Sequence, residues 1–238
     1  EQALQRIAAL YEIEAAILRE EPETVAAVYV EPVQNSGGCF TPSDGYFARV
    51  REICDRYGVL LVSDEVIRAF GRLGAMFGDE RLGDQPDMIT MAKGLTNGAV
   101  PMGAVAARRE IYDAFMHGPD NAIELFHGYT YSAHPVACAA GIATQQIYQR
   151  EGLLTRAADM ADYWADAVHS RKGLPHVIDL RNLGLIGAVE LESIAGKPGA
   201  RAFDVFVRAF EKGILIRTTG DIIALSPPLI IEKQHVDE

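Results

Sequence analysis

Two kinds of apolar run alternate along the first two-thirds of the chain. The first kind is short and unbroken: VAAVYV at 25–30, bounded by Pro22 and Pro32, VLLV at 59–62, and further runs at 88–91 and 102–106. Runs of this length without alternation suit strands buried on both faces. The second kind repeats at helical spacing. Leu4, Ile7, Ala8, Tyr11, Ala15 and Leu18 share one helical face, and Phe47, Val50, Ile53 and Cys54 share another. Ser43 and Asp44 are placed to cap that second helix, and Gly58 to end it after Tyr57.

Strands that alternate with helices in this way predict βαβ units and a mainly parallel sheet. From about 134 to 170 the pattern is helical, with a break near Glu151 and Gly152. The remainder differs: strands at 177–180 and 185–191, a helix at 202–211, then strands at 214–216 and 222–225. The expected architecture is therefore α/β, with part of a large domain over residues 1–172 and part of a smaller C-terminal α+β domain over 173–238. No internal repeat or low-complexity segment interrupts it.

In open parallel sheets, ligands bind beyond the carboxyl ends of the strands. Three of the predicted strands carry polar groups to that edge: Glu31 after the first, Asp64 and Glu65 after the second, Lys93 after the third. Lys93 is one of five lysines, and the other four stand in polar or Gly/Pro-flanked surroundings. A lysine partly desolvated at such an edge favours its neutral, nucleophilic amine; the alternative is a lysine that merely extends to solvent from a strand end. A carboxylate closing an apolar strand calls for a cationic partner. For Asp64 that partner is either a protonated cofactor ring or one of the nearby arginines, Arg68 and Arg72.

Composition narrows the classes. With 238 residues, 49% hydrophobic and 23% charged, the chain reads as soluble and globular rather than disordered, collagenous or coiled coil. A formal charge of -11 argues against binding a phosphate backbone, and the apolar runs fall far short of a membrane span. Cys39, Cys54 and Cys138 are odd in number and lack metal-ligand spacing, which points to a reducing compartment. With no signal-peptide pattern, a cytoplasmic protein is expected. The chain opens on Glu1 within a helical pattern and closes as HVDE starts another, so a piece of a longer subunit is expected.

Three motifs in order, SDEVIRAFGRLG at 63–74, TMAKGLTNGAVPMGAV at 90–105 and FHGYTYSAHPVACAAG at 126–141, resemble the class III aminotransferases, pyridoxal-phosphate enzymes of fold type I. Within that family the chain is most similar to the ω-amino acid:pyruvate branch. The resemblance implies that Lys93 is the Schiff-base lysine and also moves a proton during transfer. It implies that Asp64 meets the pyridine nitrogen and that Val66 packs on one face of the cofactor ring. Thr130 corresponds to a threonine that reaches the cofactor phosphate of the neighbouring subunit, so a homodimer with shared active sites is implied. Tyr129 would line the substrate pocket, Glu31 matches a glutamate close to the cofactor, and Arg217 matches a mobile arginine that forks a substrate carboxylate.

The implied reaction moves an amino group from an ω-amino acid or amine to pyruvate or a similar keto acid. Related activities of the family, aminomutase or decarboxylase, stay open, as does a catalytically incompetent relative that serves only as a dimeric structural fragment. Ser36 and Ile67 stand where the glutamate-using branches carry glutamate and glutamine, which fits the pyruvate branch. The Gly-Ser loop that cradles the cofactor phosphate in the family is expected upstream of Glu1, since NSGG at 35–38 is too weak a motif and no GxGxxG or P-loop occurs. His127 and His134 lack a third ligand at metal spacing and read as structural or pocket-wall residues. Ser63 and Ser132 have no GxSxG context, and Cys138 reads as helix packing.

Overall fold

The computed structural model describes residues 12–122 and 125–238. Leu4, Ile7, Ala8 and Tyr11 of the first helical pattern lie outside the described residues, while residues 12–19 are helical. Contacts divide the chain into two compact units. One is drawn from residues up to Glu31, Ser43–Ile67 and Leu82–Ile147; the other comprises Pro32–Pro42, Arg68–Arg81 and Tyr148–Glu238.

The first unit is built on a sheet of four strands, β1 (Ala27–Val30), β2 (Leu60–Asp64), β3 (Met88–Met91) and β4 (Ala104–Ala107), hydrogen-bonded in that order. β1, β2 and β3 run parallel, and β4 closes the edge antiparallel to β3. Helix α1 (Tyr46–Tyr57) buries Phe47, Val50 and Cys54 against Leu61, with Val28 and Val30 packed alongside, while Ile53 packs with Ile17 and Val59. Each such side chain taken fully from water contributes about 1.5–3 kcal/mol, so this helical face holds the sheet. Gly58 ends α1 in the left-handed conformation (φ 67°), as the pattern predicts. The start differs from expectation: Gly45, also left-handed, is the cap residue. Ser43 supplies only its carbonyl, which accepts from the Tyr46 amide at 3.1 Å.

β1 also departs from expectation. Val28 and Val30 face α1, but Ala27 and Tyr29 on the other face stay exposed, Tyr29 at 57%, so this strand is covered on one side only in the described chain. At the opposite end of the sheet a charged cluster fixes the register. Asp87, just before β3, accepts from the Leu61 amide at 2.7 Å and from Arg51 of α1 at 2.8 Å, and pairs with Arg108 at 3.2 Å. Helix α2 (Pro135–Arg150) follows the loop region; Gln145 from it donates to the Leu95 carbonyl at 3.5 Å.

The second unit contains an antiparallel sheet, β5 (Val177–Leu183), β6 (Ile186–Leu191), β7 (Arg217–Thr219) and β8 (Ile222–Leu225), in spatial order β5-β6-β8-β7. Helix α3 (Leu153–His169) buries Ala157, Met160, Trp164 and Val168 with Leu185, and the Trp164 indole donates to the Ile186 carbonyl at 3.2 Å. Helix α4 (Ala200–Glu211) packs Ala202 against Leu191 and Ile223. Asp221 caps α4 from the β7–β8 turn through the Gly199 amide at 2.8 Å. The strand expected at 214–216 instead begins at Arg217, because Ile214 and Leu215 are exposed and unpaired by the ladder.

The segment NSGG forms a single helical turn, Asn35–Gly38, held on this sheet by Arg181, which donates to the Gly38 carbonyl at 3.0 Å, and by the Thr219 hydroxyl on the Ser36 carbonyl at 3.0 Å. Among the described residues no helix is long and apolar enough to cross a membrane.

Candidate active site

Three strands of the parallel sheet end at one edge, and each delivers one of the expected groups there. Glu31 follows β1 directly, Asp64 is the last residue of β2, and Lys93 lies two residues past β3. The register makes Asp64 a direct neighbour of Thr90, three residues before Lys93. These placements follow from the unbroken apolar runs, which fix the strands and leave the first polar residue at the edge.

Asp64 is half-buried. Its Oδ1 accepts from the Val66 amide at 3.0 Å, and its Oδ2 lies 3.4 Å from the Tyr29 hydroxyl. The Tyr29 hydroxyl is in turn 2.7 Å from Thr90 Oγ1. Tyr29 is the residue that sequence reasoning missed. It sits inside an apolar run, and only the pairing of Tyr29 with Val62 across the sheet brings its ring near the end of β2. Ser63, beside Asp64, points the other way: it is fully buried and donates to Asp84 Oδ2 at 2.7 Å, an anchor rather than a nucleophile.

Lys93 opens a short 3-10 turn, Lys93–Leu95, and its backbone is left-handed, with φ 42°. Burial does not single it out as expected, for its side chain is exposed. The backbone does: a non-glycine residue in this region is held there by its surroundings at a cost of about 1–3 kcal/mol, and such residues cluster at functional sites. The turn is closed by the Leu95 amide on the Ala92 carbonyl at 2.9 Å and by the Thr96 hydroxyl on the Val100 carbonyl at 2.6 Å.

Next to this edge lies a cavity of about 850 Å³. Val66, Met91 and Ala92 form one wall; Pro101, Met102 and Val105 another; His127, Tyr129, Tyr131, Ser132 and His134 a third. Val66 and Tyr129, both expected at the site, thus share one cavity. His127 and His134 line it, His127 edge-on to Tyr129 at 5.3 Å. The Tyr129 amide donates to Ser132 Oγ at 3.0 Å, closing the turn that also presents the exposed Thr130. Among the described residues no group of three or more His, Cys, Asp or Glu is arranged to hold a metal ion. Arg217 belongs to the second unit, where it starts β7 opposite Ala224 with its side chain exposed.

A primary amine, a carboxylate and a branched aliphatic side chain next to a largely apolar cavity form a donor set that could hold an aldehyde cofactor with a basic ring nitrogen.

The chain is 57% identical over 226 residues to an omega-aminotransferase of Caulobacter vibrioides, covering 95% of this chain and 52% of that protein. It is 45% identical to a beta-alanine–pyruvate aminotransferase of Pseudomonas aeruginosa, over 91% of this chain and 49% of that one. Among solved structures, the omega transaminase of Pseudomonas jessenii in complex with PMP superposes with a TM-score of 0.90 at 33% identity, over 98% of this chain and 52% of the other. A transaminase bound to L-alanine superposes with a TM-score of 0.91 at 31% identity, covering 100% of this chain and 57% of the other. The chain spans about half the length of the curated relatives it matches. The class-III aminotransferase family matches it from residue 1 to residue 238. A family match over its whole length, with relatives of this identity, shows that the chain belongs to the class-III aminotransferases.

Proposed function

We propose that the chain acts within a pyridoxal 5′-phosphate-dependent transaminase that moves an amino group from an ω-amino acid or amine to pyruvate or a similar keto acid. The observation that carries this reading is Lys93 in a left-handed turn after β3, on the strand whose Thr90 pairs with Asp64 at the end of β2. Two relatives named for omega-amino or β-alanine donors, and a structural neighbour bound to PMP, support it.

The residues present fit the cofactor. When bound, pyridoxal phosphate supplies an aldehyde that condenses with primary amines and a protonated ring that withdraws electrons from the bonded carbon. Lys93 Nζ would hold that aldehyde at rest and, once displaced by the amine donor, take the proton from the donor carbon. Asp64 would accept from the ring nitrogen, and Val66 would pack on one ring face. Glu31 stands at the same edge, close to where the cofactor would lie. Tyr129 and the cavity wall would confine the donor and exclude water. Arg217 would fork the carboxylate of pyruvate or of an amino acid, a bidentate task suited to a planar guanidinium.

The same reading has Thr130 reaching the cofactor phosphate of a neighbouring subunit, so two copies would complete each other's sites. It places the subunit in the cytoplasm, and it assigns residues 1–172 to the large domain and 173–238 to the C-terminal small domain. Assay of the holoenzyme with pyruvate, offering β-alanine or 1-phenylethylamine as donor, tests the reaction. Formation of alanine is expected; activity with glutamate alone would refute the pyruvate assignment.

A further inference from the structure

We infer that Tyr29, with Thr90, is a positioning residue for Asp64, aiming its carboxylate at the ring nitrogen of the cofactor. The inference rests on the transaminase reading above. Tyr29 lies on the exposed face of β1, and its hydroxyl reaches over β2 to the row formed by Asp64 and Thr90. It stands 2.7 Å from Thr90 Oγ1 and 3.4 Å from Asp64 Oδ2. An ionised carboxylate only accepts, and a tyrosine hydroxyl has one proton to give. The arrangement that satisfies both contacts therefore runs one way: Thr90 donates to Tyr29, and Tyr29 donates to Asp64.

The two oxygens of Asp64 are then oriented from two sides. Oδ1 takes the Val66 amide and Oδ2 the Tyr29 hydroxyl, which restricts rotation of the carboxylate at the end of β2. The short Thr90 contact pins the tyrosine, and the longer one lets it close on Asp64 when a cation arrives. Groups that orient a ligating carboxylate from outside the first layer of contacts tune that layer's chemistry. Tyr29 would do so through its contacts to Asp64 and Thr90.

The test is the visible absorption of the pyridoxal-phosphate holoenzyme followed against pH in the native protein, Tyr29→Phe, Thr90→Val and Lys93→Ala. Tyr29→Phe removes a single oxygen from an exposed ring, so folding is preserved, and melting curves of the apoprotein verify it. The expected result is a pH midpoint shifted by at least about half a unit in Tyr29→Phe, with Thr90→Val shifted in the same direction by no more. The turnover number should fall several-fold while KM for the amine changes little. A Tyr29→Phe protein that titrates as the native one does would overturn the positioning role while leaving the transaminase reading intact. A native protein with no visible band, or a band that survives Lys93→Ala, would overturn the transaminase reading and this inference with it.

Discussion

The Val66 amide donates to Asp64 Oδ1 at 3.0 Å, closing a two-residue turn directly after β2. The turn lets one short stretch do two things: it holds the carboxylate at the sheet edge and places the Val66 side chain in the cavity wall. Asparagine keeps an acceptor for the Val66 amide but carries no charge. Asp64→Asn should therefore fold normally and lose transaminase turnover on the order of a hundredfold, as when one charge-stabilising group is removed from an active site. Steady-state kinetics with circular dichroism on the same sample would check it.

Arg217 is expected to discriminate by substrate charge. Arg217→Ala should lower kcat/KM for β-alanine and pyruvate about tenfold or more, the value of a charge-assisted pair, while 1-phenylethylamine as donor loses far less in the half-reaction. Equal losses for both donors would remove the carboxylate-binding role.

Asp87 couples acid stability to the sheet. Its burial favours the neutral acid, but the Leu61 amide and the Arg51 and Arg108 guanidiniums outweigh this and hold its carboxyl below the usual carboxylate range. A carboxyl depressed on folding stabilises above its unfolded pKa, and that contribution is lost as pH falls through the folded value. Asp87→Asn should cost about 2 kcal/mol at neutral pH, because it leaves the partly buried Arg51 and the exposed Arg108 with an uncharged partner in place of the buried carboxylate. The difference from the native protein should shrink as the pH is lowered into the acid range, in urea titrations at a series of pH values.

Gly184 forms the β5–β6 turn with φ 53°, and an added Cβ would lie 2.7 Å from the Arg72 carbonyl oxygen and from Leu73 Cα. Both obstacles are backbone, and the Leu185 amide is bonded to that same Arg72 carbonyl at 3.0 Å. Gly184→Ala should destabilise the chain by about 2 kcal/mol through strain and displacement together. Chemical denaturation would measure it.

The cysteines should differ in reactivity. Burial pushes the Cys39 thiol up to about 12 despite the opposing pull of Arg181, and burial likewise raises Cys54 against Arg51. Cys138 is only partly buried. Since the thiolate is the reactive form, a thiol reagent at neutral pH should label Cys138 first, as peptide mapping would reveal.

The parallel strands were legible because sheet interiors impose unbroken apolar runs, and VLLV ending in Ser63 and Asp64 declares both a strand and its polar edge. Lys93 was legible for the same reason, through the residues that precede it. What the sequence could not reveal depends on register between distant segments. Tyr29 reads as one more apolar strand residue until the sheet brings it to Asp64, and Asp87 reads as a loop acid until Arg51 and Arg108 converge on it. The open face of β1 was hidden as well, since VAAVYV does not disclose which side a helix covers. Ser43 and Asp44 misled because Gly45 reaches the left-handed conformation more cheaply than they do, leaving no side-chain cap to form.

Lys93 is the residue expected to hold the cofactor. Reduction of the pyridoxal-phosphate-loaded protein with borohydride, followed by proteolysis and mass spectrometry, tests it most directly. A phosphopyridoxyl group fixed on the peptide containing Lys93, at one per chain, is expected. A label on Lys172, Lys197, Lys212 or Lys233 with Lys93 unmodified, or no label on a protein that absorbs as a holoenzyme, would contradict it.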